Sequence, residues 1–154
     1  MLLSDLFQAL GEEDFRRQIQ SISMGRLRTY QLFDRSKARF HLAKLNTESL
    51  RKAAPKLWLR LAEHEEELAA DLAQAILVSN LEMIRAVLDF LGVAHSDGFF
   101  EKDAAVQSQL TDGWQQRTWD EFQSRYRGPL LLFYLNHLGW EVQKSEQVFR
   151  PVSA

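Results

Sequence analysis

Apolar side chains recur along the chain with a period near 3.6 residues, and no segment sustains the two-residue alternation of a half-buried strand. Residues that favour helices, among them Ala, Leu, Glu, Gln and Arg, dominate the chain. The most regular stretch is 81–91, whose inward-facing positions would be Leu81, Ile84, Leu88 and Leu91. The pattern predicts an all-α fold with roughly six to eight helices.

Glycine and proline mark the ends of the predicted helices. Gly11 should separate the first two, Gly92 should end the helix at 81–91, and Gly128-Pro129 should open the last helix. Gly139 is expected to end that last helix. Thr111 is expected to cap the helix before it.

No repeat or low-complexity linker divides the sequence, so residues 1–154 are interpreted as a single helical domain. From about residue 141 the polar sequence predicts a poorly ordered or extended tail. One interval stays open: the acidic run 63–67 is either a turn between two helices or part of a continuous helix. In a continuous helix Glu65 would lie on the buried face, which is costly unless the carboxylate is paired.

Charge is distributed unevenly along the chain. Residues 16–60 contain twelve Lys or Arg against two acidic residues, whereas residues 61–154 contain seven basic and fifteen acidic residues. The formal net charge of −2 hides this asymmetry. Such a division indicates either an anionic partner for the basic segment or packing of oppositely charged segments on one another.

Nucleic-acid binding is one hypothesis for the basic segment. On a helix, Arg28, Arg35 and Arg39 would form one basic stripe, but Arg26, Lys37 and Lys44 would form another on the opposite side. Phosphate binding favours charge gathered on one face. Basic helices lying beside the acidic 63–71 segment are the simpler interpretation, and nucleic acid remains an alternative partner.

The sequence offers no recognisable catalytic, metal or cofactor motif. It contains no cysteine, and none of its four histidines follows a carboxylate at the Glu-x-x-His spacing of a di-metal bundle. Neither a phosphate-binding glycine loop nor a Gly-x-Ser-x-Gly elbow occurs. We therefore expect no cofactor and no metal, and favour a protein that is not an enzyme.

The loop at 93–103 contains a turn signal, Asp97-Gly98, followed by Phe99-Phe100. We expect the two phenylalanines to anchor this loop to the core. A catalytic pairing of His95 with Asp97 is the alternative, although the loop lacks the alternating ligands of a calcium site.

Aromatic residues concentrate near the C-terminus, where ten of the seventeen lie between Phe99 and Phe149. A cluster of rings bordered by polar side chains can line a ligand pocket, and Trp114, Trp119 and His137 are the candidate lining residues. The simpler interpretation is that these rings form core. The alternative function that follows is a small-molecule binder or an enzyme without a recognisable motif.

The chain has no apolar run approaching the length of a membrane-spanning helix, and its first residues do not resemble a signal peptide. A cytoplasmic protein without a membrane partner is expected. The leading functional hypothesis is a non-enzymatic helical protein that acts through protein–protein contacts or through self-association as a homodimer.

Overall fold

The computed structural model describes residues 3–22, 48, 52 and 66–152. Six helices have described bounds: α1 (Leu3–Ser21), α2 (Glu66–Ser79), α3 (Leu81–Leu91), α4 (Ala104–Gln109), α5 (Trp114–Phe122) and α6 (Gly128–Gln143). The part of the chain that is described contains no strand, so the all-α prediction is confirmed. None of its helices is both long and apolar enough to cross a membrane.

The chain divides into two compact units, Leu2–Ser79 and Asn80–Ala154, which we call the N-terminal and C-terminal units. The basic stripe predicted at Arg28, Arg35 and Arg39 lies outside the described residues, as does Glu65. Helix α2 begins at Glu66, which is the first described residue after Lys52.

In the N-terminal unit, α1 packs against α2. Gly11 interrupts α1 with a φ of 66°, which confirms the predicted break and produces a kink. The kink separates two short amphipathic stretches whose rings meet across it, because Phe7 and Phe15 contact edge to face at 5.7 Å. The buried apolar residues of α1 are Leu6, Phe7, Leu10, Phe15 and Ile19.

Helix α3 opens the C-terminal unit and buries Met83, Ile84, Val87 and Leu88. Of the residues predicted to face inward, Ile84 and Leu88 are therefore buried, whereas Leu81 and Leu91 are only half-buried. Gly92 ends the helix in the left-handed conformation, and its N–H donates to the Asp89 carbonyl at 3.0 Å. The predicted end of this helix is confirmed.

Helix α5 begins at Trp114. A cap at Thr111 would have started it two residues earlier, at Asp112. Gly113, with a φ of 74°, occupies the capping position instead. Thr111 contributes its carbonyl, which accepts the Trp114 N–H at 3.0 Å. A left-handed residue redirects the chain at this point, so the helix starts only after it.

Helix α6 starts at Gly128-Pro129 as predicted, with proline in its first turn, where the missing N–H costs nothing. The prediction that Gly139 ends this helix is wrong, because α6 continues to Gln143. Gly139 is buried in the helix interior. A Cβ at this position would lie 3.6 Å from Cζ2 of Trp114 and 3.1 Å from Nε2 of Gln115. The glycine thus allows α5 to approach α6 closely.

Candidate interaction surface

The connection between α3 and α4 forms a tight hairpin. Ser96 and Phe99 exchange two backbone hydrogen bonds of 2.7 and 2.9 Å. The two residues between them have positive φ angles, 52° at Asp97 and 89° at Gly98. This is the signature of a type I′ turn, for which Asp-Gly is a favoured sequence. The predicted turn is confirmed.

Side chains hold the hairpin in place from both ends. Arg85 of α3 contacts the Asp97 carboxylate at 2.7 Å. His95 Nδ1 accepts the Gly98 N–H at 3.2 Å, and His95 Nε2 lies 3.1 Å from Oδ1 of Asp89. Because Nδ1 is an acceptor, the proton of the neutral ring must be on Nε2, which donates to Asp89. His95 is thus paired with Asp89, whereas Asp97, its hypothetical catalytic partner, pairs with Arg85.

Gly98, rather than a phenylalanine, is the residue of the turn that packs against α3. A Cβ on Gly98 would lie 3.2 Å from Cδ2 of Leu81 and 3.3 Å from Cγ2 of Ile84. The next residue, Phe99, is 63% exposed, and Phe100 is half-buried. The expectation that Phe99 anchors the loop to the core is therefore wrong. The glycine occupies the space next to α3, and the turn directs Phe99 outward.

An open cavity of about 610 Å³ lies beside the hairpin. Phe99 and Phe100 contribute to its lining together with Val106 of α4, and polar groups come from Glu101 and Gln109. In the described part of the chain the Gln109 Oε1 atom is buried and has no hydrogen-bond partner. The surface therefore combines a protruding ring with an adjacent depression.

Other large apolar side chains of the C-terminal unit are also exposed, namely Phe90, Trp140, Val148 and Val152. Phe90 contacts Phe122 edge to face at 5.5 Å, so part of its ring is covered. Single exposed apolar residues are common on proteins and need no function. Phe99 stands on a turn closed by two backbone hydrogen bonds and lies next to a cavity.

The predicted pocket residues Trp114, Trp119 and His137 lie on α5 and α6, and none of them lines the cavity beside the hairpin. Trp114 is only 3% exposed, and its indole N–H donates to Gln143. Trp119 follows five residues later, about 140° around the helix, so the two indoles leave α5 in different directions. A ligand pocket at these residues stays a prediction.

His137 is half-buried on α6 and stacks on Phe133 with ring centroids 6.0 Å apart. Burial lowers the pKa of His137 from 6.5, and the nearby Lys102 ammonium lowers it further. The Glu141 carboxylate, 3.9 Å from Nε2, would act in the opposite direction. Because Glu141 also forms an ion pair with Lys102, its attraction for a proton on His137 is largely offset.

The carboxamides near this aromatic cluster bind backbone groups. Gln115 donates to the Leu135 carbonyl at 3.2 Å and so joins α5 to α6. Gln116 and Asn136 bind the segment after α6. In the sequence these amides are recognisable only as a polar border to the aromatic residues. Their backbone partners lie in distant parts of the chain and leave no mark on the local pattern.

Two other kinds of site, a metal centre and a nucleic-acid surface, gain no support from the described residues. They contain no group of three or more His, Asp or Glu positioned to hold a metal ion. The described basic residues of the 16–60 segment are each paired with a nearby carboxylate: Arg16 with Glu12, Arg17 with Glu13, and Lys52 with Glu48. Comparison of the chain with protein-family models, curated proteins and solved structures found no match.

Proposed function

We propose that this chain is a non-enzymatic helical protein that acts through protein contacts, and that it self-associates through the surface around Phe99. The observation that supports this proposal is the exposed Phe99 ring, held beside an open cavity by a fixed hairpin. A phenylalanine exposed to this extent loses the free energy that burial would supply. Contact with another protein would recover it.

The hairpin is suited to this role because it is already ordered. Its turn closes with two backbone hydrogen bonds, and Arg85 and His95 add further contacts at Asp97 and Gly98. Association costs free energy for every flexible group that becomes ordered. Phe99 has few rotatable bonds and stands on a loop already fixed by α3, so the ordering cost at this surface is small.

The arrangement of the ring and the cavity supports self-association as the form that these contacts take. A two-fold symmetric interface places the same surface on both subunits, so a projection away from the axis needs a matching depression on that same surface. Here the projection is Phe99, and the depression next to it is lined by Phe100 and Val106. Two copies related by a two-fold axis could each insert Phe99 into the cavity of the other.

Sedimentation velocity over a wide concentration range tests this proposal with three proteins: the unaltered chain, Phe99→Ser and Trp140→Ser. Trp140 is the matched control because it is another aromatic residue of the same unit, 53% exposed on α6, and does not line the cavity beside the hairpin. We expect the unaltered chain and Trp140→Ser to dimerise alike. Phe99→Ser should weaken the dimer by about tenfold or more, as loss of a central anchor does. A chain that stays monomeric at every concentration would refute the proposal.

A further inference from the structure

The segment after α6 is held by two carboxamides that each bind both backbone groups of one residue. Asn136 Oδ1 accepts the Phe149 N–H at 2.7 Å, and Asn136 Nδ2 donates to the Phe149 carbonyl at 3.3 Å. Gln116 Oε1 accepts the Val152 N–H at 3.0 Å, and Gln116 Nε2 donates to the Val152 carbonyl at 3.4 Å. We call Gln116 and Asn136 the carboxamide pair, and residues 145–152 the tail.

All four of these hydrogen bonds go to main-chain groups of the tail. A carboxamide that binds the N–H and the C=O of one residue makes the same two hydrogen bonds as a residue on an antiparallel strand. There, two residues that lie opposite each other exchange both N–H···O=C bonds. The side chains of Val148 and Val152 are 44% and 75% exposed and contribute little to the contact, whereas Phe149 is half-buried and adds its ring to it. Arg150 precedes Pro151, which disfavours a helical backbone at Arg150, and residues 148–152 lie outside any helix.

We propose that the carboxamide pair is a binding site for an extended peptide backbone, and that the occupant it accepts besides its own tail is the tail of a second copy. The identical segment makes identical hydrogen bonds whichever copy supplies it, so exchange preserves every contact at the site. This inference rests on the proposed function, self-association, but locates it at a surface other than that of Phe99.

Lys144 is the hinge that such an exchange requires. It follows α6 with a φ of 52°, in the left-handed region that non-glycine residues rarely adopt. Its N–H donates to the Trp140 carbonyl at 3.0 Å, and the Ser145 N–H donates to the Gly139 carbonyl at 3.3 Å. This reversal turns the tail back onto its own helices. A tail directed to another copy would release the conformation at Lys144, and strained short hinges favour exchange.

Crosslinking between single-cysteine variants of the full chain tests the exchange, and the natural absence of cysteine leaves no background. One variant carries Asp120→Cys and the other Val152→Cys. Both positions adjoin Gln116, whose Nε2 lies 2.8 Å from Asp120 Oδ1 and 3.4 Å from the Val152 carbonyl. All variants also carry Phe99→Ser, which weakens association through the hairpin surface. A short bis-maleimide joins the thiols, and a denaturing gel separates single from paired chains.

We expect the mixture to give covalent dimers and a single chain carrying both cysteines to give an internal crosslink. Asn136→Ala in the copy that carries Asp120→Cys should lower the dimer yield by about tenfold, because that copy loses two hydrogen bonds to the tail. Lys144→Val in the copy that supplies the tail should raise the yield and Lys144→Gly should lower it. Valine disfavours the left-handed conformation, whereas glycine adopts it freely.

Three results would overturn the exchange. They are an internal crosslink without dimers from the mixture, no crosslink in either case, and dimers whose yield does not change with Asn136→Ala. The proposed function is judged separately, from the sedimentation of chains that differ only at Phe99. Failure of that surface and failure of tail exchange therefore give different results.

Discussion

The indole Nε1 of Trp114 and the side-chain Oε1 of Gln143 lie 3.2 Å apart and join the first residue of α5 to the last residue of α6. The other end of the same carboxamide, Gln143 Nε2, donates to the Leu110 carbonyl at 2.8 Å. Gln107, which lies on α4, donates from its Nε2 to the Val142 carbonyl at 3.2 Å. These contacts attach the end of α6 to the two helices that precede it.

Replacement of Gln143 by leucine should therefore destabilise the protein. The substitution leaves the buried Trp114 N–H without its acceptor and the Leu110 carbonyl without its donor. We expect the free energy of unfolding to fall by about 1–3 kcal/mol, measured by urea denaturation. Gln147→Leu is the matched control, because Gln147 is exposed like Gln143 but forms neither of these two hydrogen bonds; it should change the free energy of unfolding by less than about 0.5 kcal/mol. Equal effects of the two variants would contradict the prediction.

Substitution of Gly98 by alanine should disturb the hairpin. Its φ of 89° is unfavourable for alanine, and the added Cβ would come within 3.3 Å of both Leu81 and Ile84. We expect a loss of about 1–3 kcal/mol in thermal or urea unfolding. Asp97→Asn is the control, because asparagine tolerates positive φ and only the exposed ion pair with Arg85 is removed. If Asp97→Asn proved the more destabilising, the strain at Gly98 would not be the cause.

The tail should respond locally to loss of one carboxamide. Asn136→Ala removes the acceptor of the Phe149 N–H but leaves Gln116 on Val152. We expect faster amide exchange at Phe149, followed by NMR, with a smaller change at Val152. The reciprocal variant, Gln116→Ala, should give the opposite order. Equal acceleration at both amides in either variant would show that the tail is released as one unit.

Helix content could be predicted from the sequence because the apolar period is a local property. Gly11, Gly92 and Gly128-Pro129 were correctly interpreted as breaks for the same reason. Gly139 was not, since its role depends on Trp114 of another helix. A glycine that ends a helix and one that admits a neighbouring ring look alike in the sequence.

The candidate surface was only partly predictable. Asp97-Gly98 specifies its turn locally, but the exposure of Phe99 depends on Gly98 occupying the space against Leu81 and Ile84. The hydrogen bonds from Gln116 and Asn136 to the tail join residues 36 and 13 positions apart. No periodicity or short motif records such a pairing, so the tail appeared only as a polar end.

The environment of His137 predicts how stability changes with pH. Burial, with a smaller contribution from Lys102, lowers the pKa of the folded imidazole below the 6.5 of an exposed one. As the pH falls through about 6.5, the unfolded chain therefore takes up a proton before the folded chain does, and stability decreases. Urea unfolding at about pH 7.5 and about pH 5.5 should show a larger loss for the unaltered chain than for His137→Gln.

Lys102→Gln separates the two causes of the lowered His137 pKa, which are burial and the charge of Lys102. The substitution removes the cation that repels a protonated His137, and it also frees Glu141, 3.9 Å from Nε2, to attract the proton. Both changes raise the pKa of His137, which NMR can follow through the imidazole ring protons. Lys144→Gln is the matched control, because Lys144 lies over the Trp140 ring rather than beside Glu141. An unchanged or lower pKa of His137 in Lys102→Gln would leave burial as the whole cause, and the acid sensitivity of the fold would then be independent of Lys102.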